Sequence, residues 1–294
     1  MPSRRPGLTA VGFSGLSWVC LFRNYWLADF SEFLCNNDMK FEAAFDQGQF
    51  PTIAVINKAT VPLGVDFDKL VSVLQKFLDG YFVPVWGYPA KLQIVTGDPQ
   101  PDQWIFLFVD NADVAGALGY HDLTKNGQPV SYVFVKTTLA DKQLVSVTAS
   151  HELAEMMIDP GAQIWAQKDT KTLVAYEMSD PVEEQTFEID GIAMSNFVFP
   201  SYFEPWHKPK SRKFDYLGQL TKPFQIAKGG YLIVQEAGKV SQVFGSAAKA
   251  KRFAREDRRG HRSEYRKPNG QVLSRSKGKI RFGRGTGGPP NIPT

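Results

Sequence analysis

Val145-Ser-Val-Thr-Ala-Ser-His-Glu-Leu-Ala-Glu-Met-Met-Ile-Asp159-Pro160 is the stretch on which the reading of the chain turns. It reads as a mostly apolar helix with a narrow polar wedge. At about 100° per residue, and with His151 set at zero, Glu155 falls near ~40°, Asp159 near ~80° and Glu152 near ~100°. Leu153, Met156 and Met157 point the other way, with Ala149. One imidazole and three carboxylates thus share roughly a quarter of the circumference of a helix otherwise fit for burial. Buried charge is costly unless it is paired or bound to a metal. A metal site accounts for the whole wedge. A simple i,i+4 pair between His151 and Glu155 leaves Glu152 and Asp159 unexplained.

Upstream, Thr52–Asn57 reads as a strand and residues 66–82 as a helix, with apolar residues at helical spacing, Asp66 as N-cap and Gly80 as stop. Residues 91–95 and 104–109 are two further strands. Residues 110–129 read as a glycine-containing loop that includes Ala117-Leu-Gly-Tyr-His-Asp122, and residues 130–137 as a fourth strand. The central helix should begin near Asp141 and stop at Pro160. Beyond it come short strands at 163–166, 172–177, 186–189 and 192–199, with Asp190-Gly191 as a hairpin turn. An aromatic segment at 197–203 closes the domain, and two short elements flank Gly229-Gly230 within 217–234. The order points to an α+β domain over 51–205, preceded by an aromatic-rich extension over 1–50. A small β appendage over 206–246 and a basic, largely disordered tail over 247–294 follow.

A metal-dependent hydrolase needs three protein ligands, an open position for water and a general base. Two ligands four residues apart on a helix can share one ion. In the zincin motif both are histidines, with a glutamate after the first. Here the pattern is His151-Glu152-x-x-Glu155, with a carboxylate in the second position, which leaves room for an oxygen-preferring ion as well as zinc.

Ser150-His-Glu-Leu-Ala-Glu-x-x-x-Asp159-Pro160, followed by Glu177-x-x-Asp180, resembles a group of zincin-like metallopeptidases. Tyr176–Glu183, Ile192–Pro200 and Gly119-Tyr-His-Asp122 resemble a phage- and prophage-encoded branch of that group. The resemblance spans about residues 51–203. It implies a zincin-like mixed sheet with an active-site helix, and a zinc or related divalent ion held by His151 and Glu155. Glu177 or Asp180 would complete the set, with Asp159 a further ligand or a partner of His151. It implies Glu152 as general base and strand 130–137 as the edge that aligns an extended peptide. His121 would stabilise the oxyanion of a peptide-bond hydrolase. The residues also allow plainer roles. Asp159 before Pro160 can simply end the helix, Glu177-x-x-Asp180 can be a solvated turn, and His121 a turn residue. The alternative function is a catalytically silent phage structural or interaction protein with a structural metal.

The net charge of +4 is unevenly spread. Ala247–Arg284 carries 14 Lys/Arg against Glu256, Asp257 and Glu264, which leaves an acidic body with a basic tail. Lys249, Lys251, Arg252, Arg255, Arg258, Arg259 and Arg262 are candidates for neutralising nucleic-acid phosphates. The same tail also fits a solubilising segment or one that orders on a virion partner. Cys20 and Cys35 are too few for a disulfide framework; one bridge and two free thiols both fit. No apolar run reaches the roughly 18 residues of a membrane span. Arg4 and Arg5 before an apolar stretch resemble a signal peptide, but Gly12, Ser14, Gly15 and Ser17 interrupt that stretch. The expectation is a cytoplasmic or virion-associated protein.

Overall fold

The computed structural model describes residues 50–113 and 117–252, with Arg252 described by its backbone alone. The fold is mixed α+β. A five-stranded sheet is built from β1 (Thr52–Asn57), β2 (Lys91–Ile94), β3 (Trp104–Val109), β4 (Gly119–Leu123) and β5 (Pro129–Phe134), in the order β2-β1-β3-β5-β4. The first four strands in that order run parallel, and β4 returns antiparallel to β5. β3 alternates as its sequence dictates: Trp104, Phe106 and Phe108 are buried, and the residues between them half-buried. The Phe108 ring meets Phe67 of helix α1 edge-on, so the fully buried face of the sheet is the one that carries helices.

Helix α1 (Phe67–Phe77) starts where Asp66 accepts a hydrogen bond from the Lys69 N–H. It passes through a π-helical turn at Leu78–Phe82 into a last helical turn, α2 (Val83–Trp86), which ends on Gly87 at φ 78°. The short helix α3 (Val135–Ala140) follows β5 directly. Residues 135–137, expected to extend the strand, therefore begin a helix. Asp141 ends α3 rather than starting the next helix, and α4 (Val145–Ile158) begins after Leu144. Apart from Val147 and His151, all residues of α4 are buried, as befits a helix that is apolar on nearly every side. It packs on β4, β5 and β9 and touches α1.

β6 (Trp165–Gln167) and β7 (Thr172–Ala175) form a second sheet with β10 (Tyr231–Glu236) and β11 (Lys239–Phe244), in the order β11-β10-β7-β6. β7 leads into a 3-10 turn at Asp180–Val182, and β8 (Thr186–Ile189) pairs with β9 (Ile192–Ser195) as a hairpin. The hairpin joins α1 through Phe77, whose ring lies 6.3 Å from Phe187 and 5.7 Å from Phe197. A 3-10 turn at Pro200–Phe203 and the short helix α5 (Ala247–Arg252) complete the described elements.

Further expectations need correction. Residues 119–123 form a strand within the expected loop, and it is this strand, not 130–134, that lies at the outer edge of the sheet. The segment 206–246 is not a separate appendage, because β10 pairs with β7. Its hairpin turns at Ala237-Gly238, both at positive φ, rather than at Gly229-Gly230. Among the described residues no helix is long and apolar enough to cross a membrane. The N-terminal extension, both cysteines and residues 253–294 lie outside the described residues.

Candidate metal centre

The polar wedge of α4 is buried where the helix meets β4 and the turn after β7. Glu152, Glu155 and Asp159 are each at most 5% exposed. Gly119 on β4 makes the close approach possible: a Cβ there would stand 2.6 Å from Glu152 Cγ and 2.7 Å from the Tyr132 carbonyl oxygen. Alternation along β4 puts His121 on the same helix-facing side as Gly119, while Tyr120 faces away against Tyr132. Ser150 fixes the other flank, its Oγ accepting a 2.7 Å hydrogen bond from the Ser195 N–H of β9.

Two clusters of donor atoms result. In the first, His151 Nε2 lies 3.3 Å from Glu155 Oε1 and 3.2 Å from Asp180 Oδ1. Glu155 Oε1 also accepts hydrogen bonds from the Ser179 and Asp180 N–H groups, at 3.0 and 3.3 Å. The side chain of His151 is 13% exposed and that of Asp180 only 2%. Asp180 Oδ1 is buried and, despite its distance from His151, receives no hydrogen bond of good geometry. Burial works against a charged His151, but Glu155, Asp180 and Glu152 outweigh it and hold the imidazole well above its ordinary pKa. Burial, reinforced by Glu155, pushes the Asp180 carboxyl up to about 6, against the opposing pull of His151.

The second cluster surrounds His121, whose Nδ1 lies 3.6 Å from Glu152 Oε2 and 3.9 Å from Glu155 Oε2. Its Nε2 is 3.6 Å from Glu177 Oε2. Donor atoms of His121, Asp159 and Glu177 all lie within 4.8 Å of one another, as do those of His151, Glu155 and Asp180. Such groups could hold a metal ion, because their chemistry is that of divalent-metal ligands and their spacing permits a shared ion.

The expected site residues thus divide between the two clusters. Asp180 joins His151 and Glu155, whereas Glu177 and Asp159 turn toward His121. Glu177 and Asp180 are each 2% exposed, so their segment is not a solvated turn. Asp159 does act at the end of the helix, with Oδ1 accepting from the Gln163 N–H and Oδ2 from the Ile164 N–H. His121, at 2% exposure and ringed by carboxylates, is placed as a member of the cluster and not as an oxyanion donor facing substrate. No role is expected from sequence for Ser179, nor for Ser150 and Gly119, although the last two lie in the motifs that carry the resemblance. Ser179 acts through its backbone, and the other two through tertiary contacts that no local pattern announces.

Lys249 also differs from expectation. Its ammonium is buried between Glu183 Oε2 at 2.8 Å and Glu184 Oε1 at 2.9 Å, so it ties α5 to the domain and is not available to phosphates. Lys251 is exposed. Arg252 closes α5, and Arg255, Arg258, Arg259 and Arg262 lie outside the described residues. No family model, no curated protein and no solved structure matches this chain.

Proposed function

We propose that the chain is a divalent-metal-dependent hydrolase of peptide bonds, zincin-like in fold, with zinc at the His151–Glu155–Asp180 group. The observation that carries this reading is the convergence of those three donors from α4 and the turn after β7, with the buried Asp180 Oδ1 left without a well-directed hydrogen bond. An ion bound there would supply Lewis acidity, polarising a carbonyl and making water acidic enough to react near neutral pH. His151, the most exposed member of the triad, marks the side from which solvent enters. The Ser179 and Asp180 N–H groups fix Glu155, and Glu152, one residue after His151, accepts the proton of the attacking water. Among the described residues β4 has a sheet neighbour on one side only, so its outer edge supports the alignment of an extended peptide beside α4. Phage or prophage origin and virion association belong to the same reading, through the resemblance of Tyr176–Glu183 and Ile192–Pro200.

The second reading is a structural metal in a catalytically silent interaction protein. The observation favouring it is the closure of the site: apart from His151, no residue of the two clusters is more than 5% exposed. Structural metal sites are closed, whereas catalytic ones keep an open position. Glu152→Gln separates the two. Cleavage of an unfolded protein substrate by the zinc-loaded chain, lost in Glu152→Gln with metal content retained, supports the hydrolase. Metal retention without cleavage by the wild-type chain overturns it in favour of the structural reading.

A further inference from the structure

We infer that the chain holds a second divalent cation, at His121, Asp159 and Glu177, separate from the one assigned to His151, Glu155 and Asp180. The inference rests on the reading of α4 as a metal-binding helix and adds a closed site to it. Among the described residues, no group of donors lying within 4.8 Å of one another contains both histidines. His121 also groups with Glu152 and Glu155, the latter shared with the His151 group, but a single ion among His151, Glu155 and Asp180 leaves His121, Asp159 and Glu177 without one.

Charge points the same way. Glu152, Glu155, Asp159, Glu177 and Asp180 are all at most 5% exposed, and the imidazoles of His121 and His151 face them. Five carboxylates exceed two imidazoles even if both are protonated. Two divalent ions would meet more of these carboxylates than one.

An independent observation comes from β5. Ser131 pairs directly with His121 across the β4–β5 ladder, so the two side chains project from the same helix-facing side. Ser131 is fully buried and its Oγ finds no hydrogen-bond partner among the described residues. A buried hydroxyl in an apolar setting would cost stability, whereas beside a hard cation it is a natural oxygen donor.

The two nitrogens of His121 then have distinct roles. Nδ1 faces Glu152 and Glu155, at 3.6 and 3.9 Å, while Nε2 lies 3.6 Å from Glu177 Oε2, and an ion on the Glu177 side would be met by Nε2. Asp159 Oδ1 and Oδ2 each accept a backbone N–H, and because a carboxylate oxygen can accept more than once these bonds do not preclude an ion. His121, Asp159 and Glu177 come from β4, the end of α4 and the segment after β7. An ion there would tie those three segments together, and its full burial suits a structural role.

The test is metal stoichiometry on the full chain, stripped with chelator and titrated with Mn2+ or Zn2+ in equilibrium dialysis. Wild type should take up two equivalents, and Asp180→Asn and His121→Ala one each. Glu177→Gln should weaken the second equivalent by about tenfold or more, and it serves in place of His121→Ala if that variant fails to fold. One equivalent in wild type, lost in Asp180→Asn but kept in His121→Ala or Glu177→Gln, overturns the second site and leaves the proposed function standing. No uptake at all overturns both.

Discussion

His151 Nε2 and Asp180 Oδ1 face each other at 3.2 Å, which joins the buried helix α4 to a turn 29 residues later in sequence. Each is tuned toward holding a proton: His151 stays charged to a higher pH than usual, and Asp180 stays protonated up to about 6. A divalent ion bound at this site would have to displace these protons.

Asp180→Asn distinguishes a ligand from a plain ion-pair partner. As a ligand, its loss should remove the metal-induced rise in melting temperature, while the metal-free protein melts within a few degrees of wild type. As a structural ion pair, its loss should destabilise the metal-free protein by about 3–5 kcal/mol, because a buried charge is left unmatched. Thermal melts with and without added zinc read both outcomes.

The stability of the chelator-treated protein should fall as pH rises. Asp180 and His151 both have folded pKa values above their ordinary ones of 3.8 and 6.5. A raised folded pKa means that the native state holds the proton more tightly than the unfolded chain does. The stabilisation is therefore complete below the ordinary value and is lost as pH rises through the folded value. For Asp180 the window runs from 3.8 to about 6; for His151 it begins at 6.5 and extends upward. Saturating zinc should oppose the loss, so the gap in melting temperature between loaded and stripped protein widens from pH 5 to pH 8. A gap that is constant across that range contradicts the assignment.

Gly119→Ala should strain the contact between β4 and α4. The new Cβ meets the Tyr132 carbonyl oxygen, which cannot swing away, and Glu152 Cγ, which can. The expected cost is about 1–3 kcal/mol, read by urea denaturation, together with weaker metal binding because Glu152 and its neighbours are displaced. A neutral effect on both would show that the helix does not seat as closely on the strand as the site requires.

The α4 stretch carried most of what could be read from sequence, because its wedge of charge conflicts with its apolar periodicity and so advertises a site. Thr52–Asn57, 104–109 and the Asp190-Gly191 hairpin were legible for similar local reasons. β4 was not. Gly119 and Asp122 are poor strand formers and bracket this short run, and it is pairing with β5 that makes it extended. The division of ligands was hidden too. Glu177 and Asp180 are three residues apart, and the 3-10 turn beginning at Asp180 sends one to each histidine. β10 pairs with a strand that precedes it by about sixty residues, a long-range choice that no local pattern encodes.

Lys249→Ala tests the corrected role of the first tail lysine. Removing the cation leaves Glu183 and Glu184 facing each other without it, so the melting temperature should fall. Retention of nucleic acid by the full chain, at any salt concentration, should not change. A loss of retention with unchanged stability would return Lys249 to the phosphate-binding group.

Elemental analysis of the purified full chain tests the central claim most directly. The account predicts at least one equivalent of a divalent metal per chain, restored by added zinc after chelation and reduced in His151→Ala. Protein that carries no such metal, and takes up none when zinc is supplied, contradicts it.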